Sequence, residues 1–426
     1  MHNKRLIILG GGTVNHIASH FAFVSLQPGE QLPWPSLCAP AYGKTAEILS
    51  EICKTQIQDM DVELHLTRMA GGLLETNKDV DEFVRDNVIA DKRTKVVFFN
   101  TALCDWESGS ELGGKNGIRL STKDCLPNGT IQLTLVPAEK IISKIRKTRK
   151  DIFLVGFKHT CGATEDEQYI AGLNLCKTAS CNLVLANDVK TCVNMIITPE
   201  EARYCVTTDR QKVLNELVRI TKLRSHLTFT RSTVVAGDLV PWNSSDVPES
   251  LRKVVDYCIA KNAYKPFRGS TVGHFAVKVN DTTFLTSQRK TNFNDLEKIG
   301  LVKIVTDGPD TVLAYGAKPS VGGQSQRIVF NDHAGYDCIV HFHCPLKNSP
   351  KVEVPVRSQL EVECGSHECG QNTSEGLKQF GNLKAVYLSE HGPNIIFNRN
   401  IDPQEVIDFI EDNFELFEKT GGYVSL

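Results

Sequence analysis

Three histidines carry the clearest chemical signal in this chain. In Ile339-Val340-His341-Phe342-His343 the two imidazoles stand at i and i+2, a spacing that a strand projects to one face. Two neutral imidazoles so placed are a natural ligand pair for zinc or another divalent ion. A third, His391, follows the apolar run Ala385-Val386-Tyr387-Leu388, at what reads as a strand end. An H-x-H alone is more readily a surface pair, and a histidine after a strand more readily a turn residue. The three together favour a metal site. The stretch Cys364 to Cys369, with His367 between, is a compact rival that lacks an obvious fourth ligand, and Cys344 adjoins His343.

A second group lies in the first half, where four apolar runs end in glycine or polar residues. Arg5 to Leu9 runs into Gly10-Gly11-Gly12-Thr13, Lys95 to Phe99 into Asn100 to Trp106, Asp151 to Val155 into Gly156-Phe157, and Asn182 to Leu185 into Ala186-Asn187-Asp188-Val189. Glycines at a strand end let backbone N–H groups approach an anion such as phosphate. Each end taken singly is also a plain turn or a helix cap; four in succession form a rim.

These groups need elements to hold them. Together with Val62 to Leu66, the four runs are five strand candidates, and those four are near-continuously apolar as parallel strands covered on both faces are. Helical stretches such as Thr45 to Lys54 and Ala138 to Arg146 alternate with them, which predicts a doubly wound parallel sheet with ligands at the carboxyl ends of its strands. Turn formers and prolines mark residues 236–247 as a linker between a domain at 1–235 and another at 248–426. A fresh helix near Ser250 buries Leu251, Val254, Val255, Cys258 and Ile259. The last helix opens on Asp402-Pro403-Gln404-Glu405, read as N-cap, first-turn proline and capping-box glutamate, with Val406, Ile410, Phe414 and Phe417 as its stripe.

Composition sets limits. The 426 residues carry 41% hydrophobic and 23% charged residues and a net charge of −2. The length favours two or three domains and the balance a soluble globular protein, with no electrostatic reason to expect nucleic acid or an anionic membrane as partner; small-molecule substrates are expected. No apolar run approaches the ~20 residues that span a bilayer, and the N-terminus reads as a first strand rather than a signal peptide. A cytoplasmic protein is expected. Fourteen cysteines scattered over so long a chain read mostly as free thiols within apolar patterns, among them Cys176, Cys181, Cys192, Cys258 and Cys338.

Over roughly residues 4 to 222, the ordered segments GGGT, NTALCDW, LVGFKHT and NLVLANDV resemble the phosphopantothenoylcysteine synthetase family. The resemblance implies a Rossmann-like domain of the coenzyme A pathway that uses CTP or ATP to join a carboxylate to the amine of cysteine. It implies Gly11, Gly12 and Thr13 at the nucleotide phosphates or acyl group, and Ala102, Asp105, Phe157 and Asn187 lining the nucleotide pocket. Two family lysines fall here on Leu175 and Ala179, with Lys177 between them. Gly117 to Leu120 is the nearest match to a lysine-rich loop, and Val24 to Gly29 lacks the family's asparagine.

Over about residues 248 to 424, five further segments resemble the class II aldolase/adducin family: Gly273 to Ala276, Leu285 to Gln288, Lys318-Pro319-Ser320, IVHFHCP and Glu390-His391-Gly392. That resemblance implies an α/β/α domain, zinc or another divalent ion on His341, His343 and His391, phosphate contacts from Gly273 and Ser320, and a small phosphorylated hydroxy-carbonyl substrate. Both families imply a homo-oligomer. The family's acid/base glutamate falls on Gly322, which leaves Glu363 or Glu390 to supply a carboxylate. A diverged, non-catalytic binding or assembly protein is the alternative, since adducin-like members use this fold without chemistry.

Overall fold

The computed structural model describes residues 4–18, 21–24, 41–108, 128, 135–308 and 310–420. Gly117 to Leu120 and most of Val24 to Gly29 lie outside them. The contacts divide the chain into two compact units, residues 1–199 with 203–225, and 200–202 with 226–426. No helix among the described residues is long and apolar enough to cross a membrane.

The first unit is a seven-stranded sheet. Its strands are β1 (Lys4–Gly12), β2 (Met60–Leu66), β3 (Thr94–Ala102), β4 (Phe153–Thr160), β5 (Leu183–Asp188), β6 (Asn194–Ile197) and β7 (Arg203–Thr207), in the order β7-β6-β5-β4-β3-β1-β2. The first five are parallel, and β6 and β7 add an antiparallel edge. Leu6 to Leu9, Val96 to Phe98 and Leu183 to Ala186 have almost no solvent exposure, so an apolar run, not an alternating one, is what these strands need. Helices α1 (Lys44–Gln56), α2 (Asn77–Phe83), α3 (Ile142–Thr148), α4 (Glu165–Ala179) and α5 (Arg210–Arg224) connect or flank them. Because the chain leaves β1 for β2 and then crosses to β3, the sheet reverses direction between β1 and β3, the position where such sheets open a crevice. α4 begins at a reciprocal capping box between Thr164 and Glu167.

In the second unit a ten-stranded sheet lies between helices. Its strands are β8 (Arg231–Val235), β9 (His274–Lys278), β10 (Thr283–Thr286), β11 (Val302–Thr306), β12 (Thr311–Tyr315), β13 (Cys338–His341), β14 (Val356–Arg357), β15 (Lys378–Phe380), β16 (Leu383–Leu388) and β17 (Gly392–Phe397). The order is β8-β12-β11-β10-β9-β13-β17-β16-β14, with β15 paired to β16. Alternate residues of one strand serve opposite faces. Val340 and Phe342 join a core with α6 (Glu249–Ala260) and α10 (Pro403–Asn413), while Ile339 joins one with Val329 and Phe330 of α8 (Val321–Asp332). That alternation makes an α/β/α sandwich and assigns His341 and His343, in step with Ile339, to the α8 face.

Several expectations change in three dimensions. Residues 236–247 do not lie between the units: Val240 exchanges backbone hydrogen bonds with Leu301, and Trp242 is buried against Phe275. Glu405 forms no capping box, because its carboxylate instead accepts hydrogen bonds from the backbone and side-chain amides of Asn382. Phe417 is 75% exposed, since α10 ends at Asn413 and the helical stripe ends with it; Leu416 is buried instead. Cys192 is exposed at φ +60°, whereas Cys176, Cys181, Cys258 and Cys338 are buried free thiols.

Candidate functional site

His341 ends β13, which lies between β9 and β17 with His341 opposite His274 and Asn394. His391 sits in the tight turn from β16 to β17, closed by its own N–H on the Leu388 carbonyl and by the Leu388–Gly392 pairing. Gly392 has φ +150°, and a Cβ there would stand 2.1 Å from the Phe342 carbonyl oxygen. A glycine after His391 is therefore what lets this turn press against the His341-Phe342-His343 backbone. Gly273, at φ +115°, does the same from the other side, with a Cβ position 2.6 Å from the His341 carbonyl oxygen. Tertiary packing thus gives Gly273 a role of its own, apart from any phosphate.

The three imidazoles converge. His341, His343 and His391 are 1%, 7% and 2% exposed. Among the described residues they are the one group of His, Cys, Asp or Glu side chains able to share an ion, with ligand atoms within 4.8 Å of one another. His341 donates from Nδ1 to the Pro393 carbonyl at 2.7 Å, which leaves its Nε2 as a lone pair facing His391 Nε2 at 3.2 Å. Two nitrogens on a tetrahedral zinc at about 2.0–2.1 Å stand ~3.4 Å apart, so this edge fits a shared ion. Burial, with the neighbouring imidazoles of His391, His274 and His343, pushes His341 well below the usual imidazole range. A neutral ring is the form a metal needs. The His274 ring lies 4.6 Å from that of His341, and burial pushes it down to about 3.

The rival ligands go elsewhere. His367 hydrogen-bonds Thr230 and faces Asp310, while Cys344 is in the core on the opposite face, its thiol raised to about 12 by burial. Gly322 lies in the first turn of α8, and one turn on, Gln326 is 2% exposed. Its amide oxygen and nitrogen have no hydrogen-bond partner among the described residues, and it lines a small pocket with His274, Ser325, His391 and Asn394. Ser320 precedes that helix, tied by its N–H to the Ser287 carbonyl. Glu390 is exposed at φ +57° and Glu363 is buried. The carboxylate found beside the triad is neither: Glu201 is 1% exposed, with Oε2 at 3.7 Å from His343 Nδ1 and 2.6 Å from Lys419 Nζ. No motif pointed to Glu201, because it is remote in sequence from the histidines.

In the first unit the glycine turn is already occupied. Gly11 continues β1, paired with Thr101, and the N–H groups of Gly12 and Thr13 donate to the Ala41 and Ala102 carbonyls. The Thr13 hydroxyl donates to Asn77 Oδ1 and accepts from the Cys104 N–H. Those donors are spent on the chain itself. Asp105 pairs with Lys140. Phe157 and Asn187 stand at the ends of β4 and β5, both half-buried, and Asn187 Oδ1 lacks a partner among the described residues. His159 is opposite Asn187 in register; burial, then Arg210 and Lys158, pushes it down to about 4. Arg210 hydrogen-bonds Asn194 and Thr45, and burial lowers it to about 10. Lys158 has no hydrogen-bond or ion-pair partner among the described residues. Neither cation stands in a charge pattern: Lys158 lies within LVGFKHT and Arg210 opens α5.

No family model and no curated protein matches this chain. Solved structures of two kinds are similar to parts of it. The DNA/pantothenate metabolism flavoprotein from Streptococcus pneumoniae is 17% identical over 51% of this chain and 97% of its own, with a TM-score of 0.39. The C-terminal domain of the coenzyme A biosynthesis bifunctional protein CoaBC is 15% identical over 52% and 96%, with a TM-score of 0.37. L-fuculose 1-phosphate aldolase is 16% identical over 39% and 82%, with a TM-score of 0.30.

Proposed function

We propose that the second unit is a metal-dependent lyase or epimerase acting on a small, phosphorylated hydroxy-carbonyl compound. The observation that carries this reading is the convergence of three buried imidazoles, one with its tautomer set by the Pro393 carbonyl. Zinc or another divalent ion held by His341, His343 and His391 would supply Lewis-acid polarisation of substrate oxygens. The residues around it have separate tasks. Gln326 offers its amide N–H groups and its carbonyl oxygen to substrate oxygens, in the small pocket it shares with His274 and Asn394.

Metal analysis tests the reading directly. The purified protein should carry one equivalent of divalent metal, and His341→Ala should lose it; metal-free wild-type protein that also fails to take up added zinc would overturn the proposal. Gln326→Leu should retain metal and lose at least tenfold in kcat/KM, the order expected when a hydrogen bond to substrate is removed.

For the first unit we propose binding of CTP or ATP at the ends of β3, β4 and β5, in the service of an acid–amine ligation of the coenzyme A type. Support comes from the four-segment sequence resemblance, from the Asn187 Oδ1 that lacks a partner among the described residues, and from Lys158 and Arg210, the cations that act on His159 opposite Asn187. Calorimetry with each nucleotide decides it: no heat with either would leave the unit without a nucleotide. A non-catalytic binding role is the second reading, favoured by Gly322 where an acid/base carboxylate would stand and by the spent donors of Gly12 and Thr13.

A further inference from the structure

Glu201 is poorly suited to a merely structural place. It is a buried acid in left-handed backbone, φ +71°, a conformation that a non-glycine residue holds only when its surroundings enforce it. The short segment Glu200–Ala202 belongs by its contacts to the second unit. Both glutamates of that segment are buried there. Glu200 accepts the Cys364 N–H at 2.7 Å, and Glu201 faces His343 Nδ1 at 3.7 Å and Lys419 Nζ at 2.6 Å. The residue after Lys419 is fastened to the same histidine, since the Thr420 N–H donates to the His343 carbonyl at 3.0 Å.

We infer that Glu201 is the positioning residue for His343, holding its Nδ1 in the protonated tautomer so that Nε2 is directed at the metal, with Lys419 locking the carboxylate in place. This rests on the metal reading of the triad. The physical logic is that an imidazole ligates through one nitrogen while its other N–H seeks an acceptor, and the acceptor selects the tautomer and ring orientation. His341 obtains this from the Pro393 carbonyl. For His343 the carboxylate of Glu201 stands on the Nδ1 side. It arrives from a part of the chain 142 residues earlier than its histidine, by the two residue numbers.

The test compares full-length wild type with Glu201→Ala and Glu201→Gln, using zinc competition, the visible spectrum of the cobalt-loaded protein, and histidine ring nitrogen NMR of the zinc-loaded protein. Loss of an outer acceptor typically costs ~10–100-fold in metal affinity. Glu201→Ala should show that loss, and its His343 nitrogen signals should move away from the Nδ1–H pattern. Glu201→Gln, whose amide oxygen still accepts, should recover part of both. The cobalt spectrum should keep the same coordination number in all three proteins. Unchanged zinc affinity and unchanged ring signals in Glu201→Ala would overturn the role, and so would a change of cobalt coordination number in Glu201→Gln, which would make Glu201 a ligand. His341→Ala serves as the separating control: if wild type and His341→Ala bind zinc equally, the metal reading itself has failed.

Discussion

At the scale of single residues, the site depends on atoms that are not ligands. Gly392 has no side chain to contribute, yet a methyl group there would occupy space 2.1 Å from the Phe342 carbonyl oxygen, a backbone atom that cannot rotate away. Gly392→Ala should therefore lower the unfolding free energy by roughly 2–4 kcal/mol, the range of severe backbone and packing conflicts, and weaken metal binding by moving His391. Denaturant unfolding and zinc competition measure the two effects. The H-x-H pair was legible because both histidines stand in one short stretch, the first closing a strand and the second two residues past its end, and His391 was legible as a strand-end residue. Glu201 and Gln326 were not, since nothing in their neighbouring residues distinguishes them from surface glutamate and helical glutamine.

Elements explain why the strand ends of the first unit are ordered. Asp188 closes β5 and accepts hydrogen bonds from the N–H groups of Gly162, Ala163, Lys190 and Thr191 and from the Thr160 hydroxyl. Burial opposes its charge, but the N–H groups of Thr191, Ala163 and Gly162 with the Thr160 hydroxyl outweigh it and hold the carboxyl well below its usual range. One side chain thus ties the loop after β4 to the turn after β5, the rim where a nucleotide is proposed to bind. Asp188→Ala leaves several buried donors unpaired and should cost about 3 kcal/mol, read by thermal or denaturant unfolding. The carboxyl's depressed pKa means its contribution is present above about pH 4 and lost as pH falls below that. The strands themselves were readable from their apolar runs. The boundary near 236–247 was misread because prolines and polar residues mark turns whether those turns join domains or lie within one.

For the whole molecule, acid is the informative perturbation. His159 in the first unit and His274 in the second are held neutral by burial, down to about 4 and about 3. An unfolded histidine titrates near 6.5, so below that pH the unfolded chain takes up protons that the native chain refuses. Stability must then fall as pH drops, by ~1.4 kcal/mol per unit for each such histidine until its folded pKa is reached. Metal-free protein should lose stability steadily from pH 6.5 to 4 in denaturant titrations, and His159→Gln should flatten part of that slope.

The residue order alone determined the parallel sheet of the first unit, the helix at Ser250 and the spacing of the three histidines, because apolar runs, caps and strand parity are local properties. Only the tertiary structure decided that Gly12 and Thr13 spend their N–H groups on Ala41 and Ala102, that Phe417 is exposed while Leu416 is buried, and that a carboxylate stands beside His343. Those outcomes depend on which distant backbone or side chain fills the neighbouring space, and segments separated by more than a hundred residues carry no local mark of meeting. The triad was a matter of spacing; the carboxylate beside it is a matter of folding.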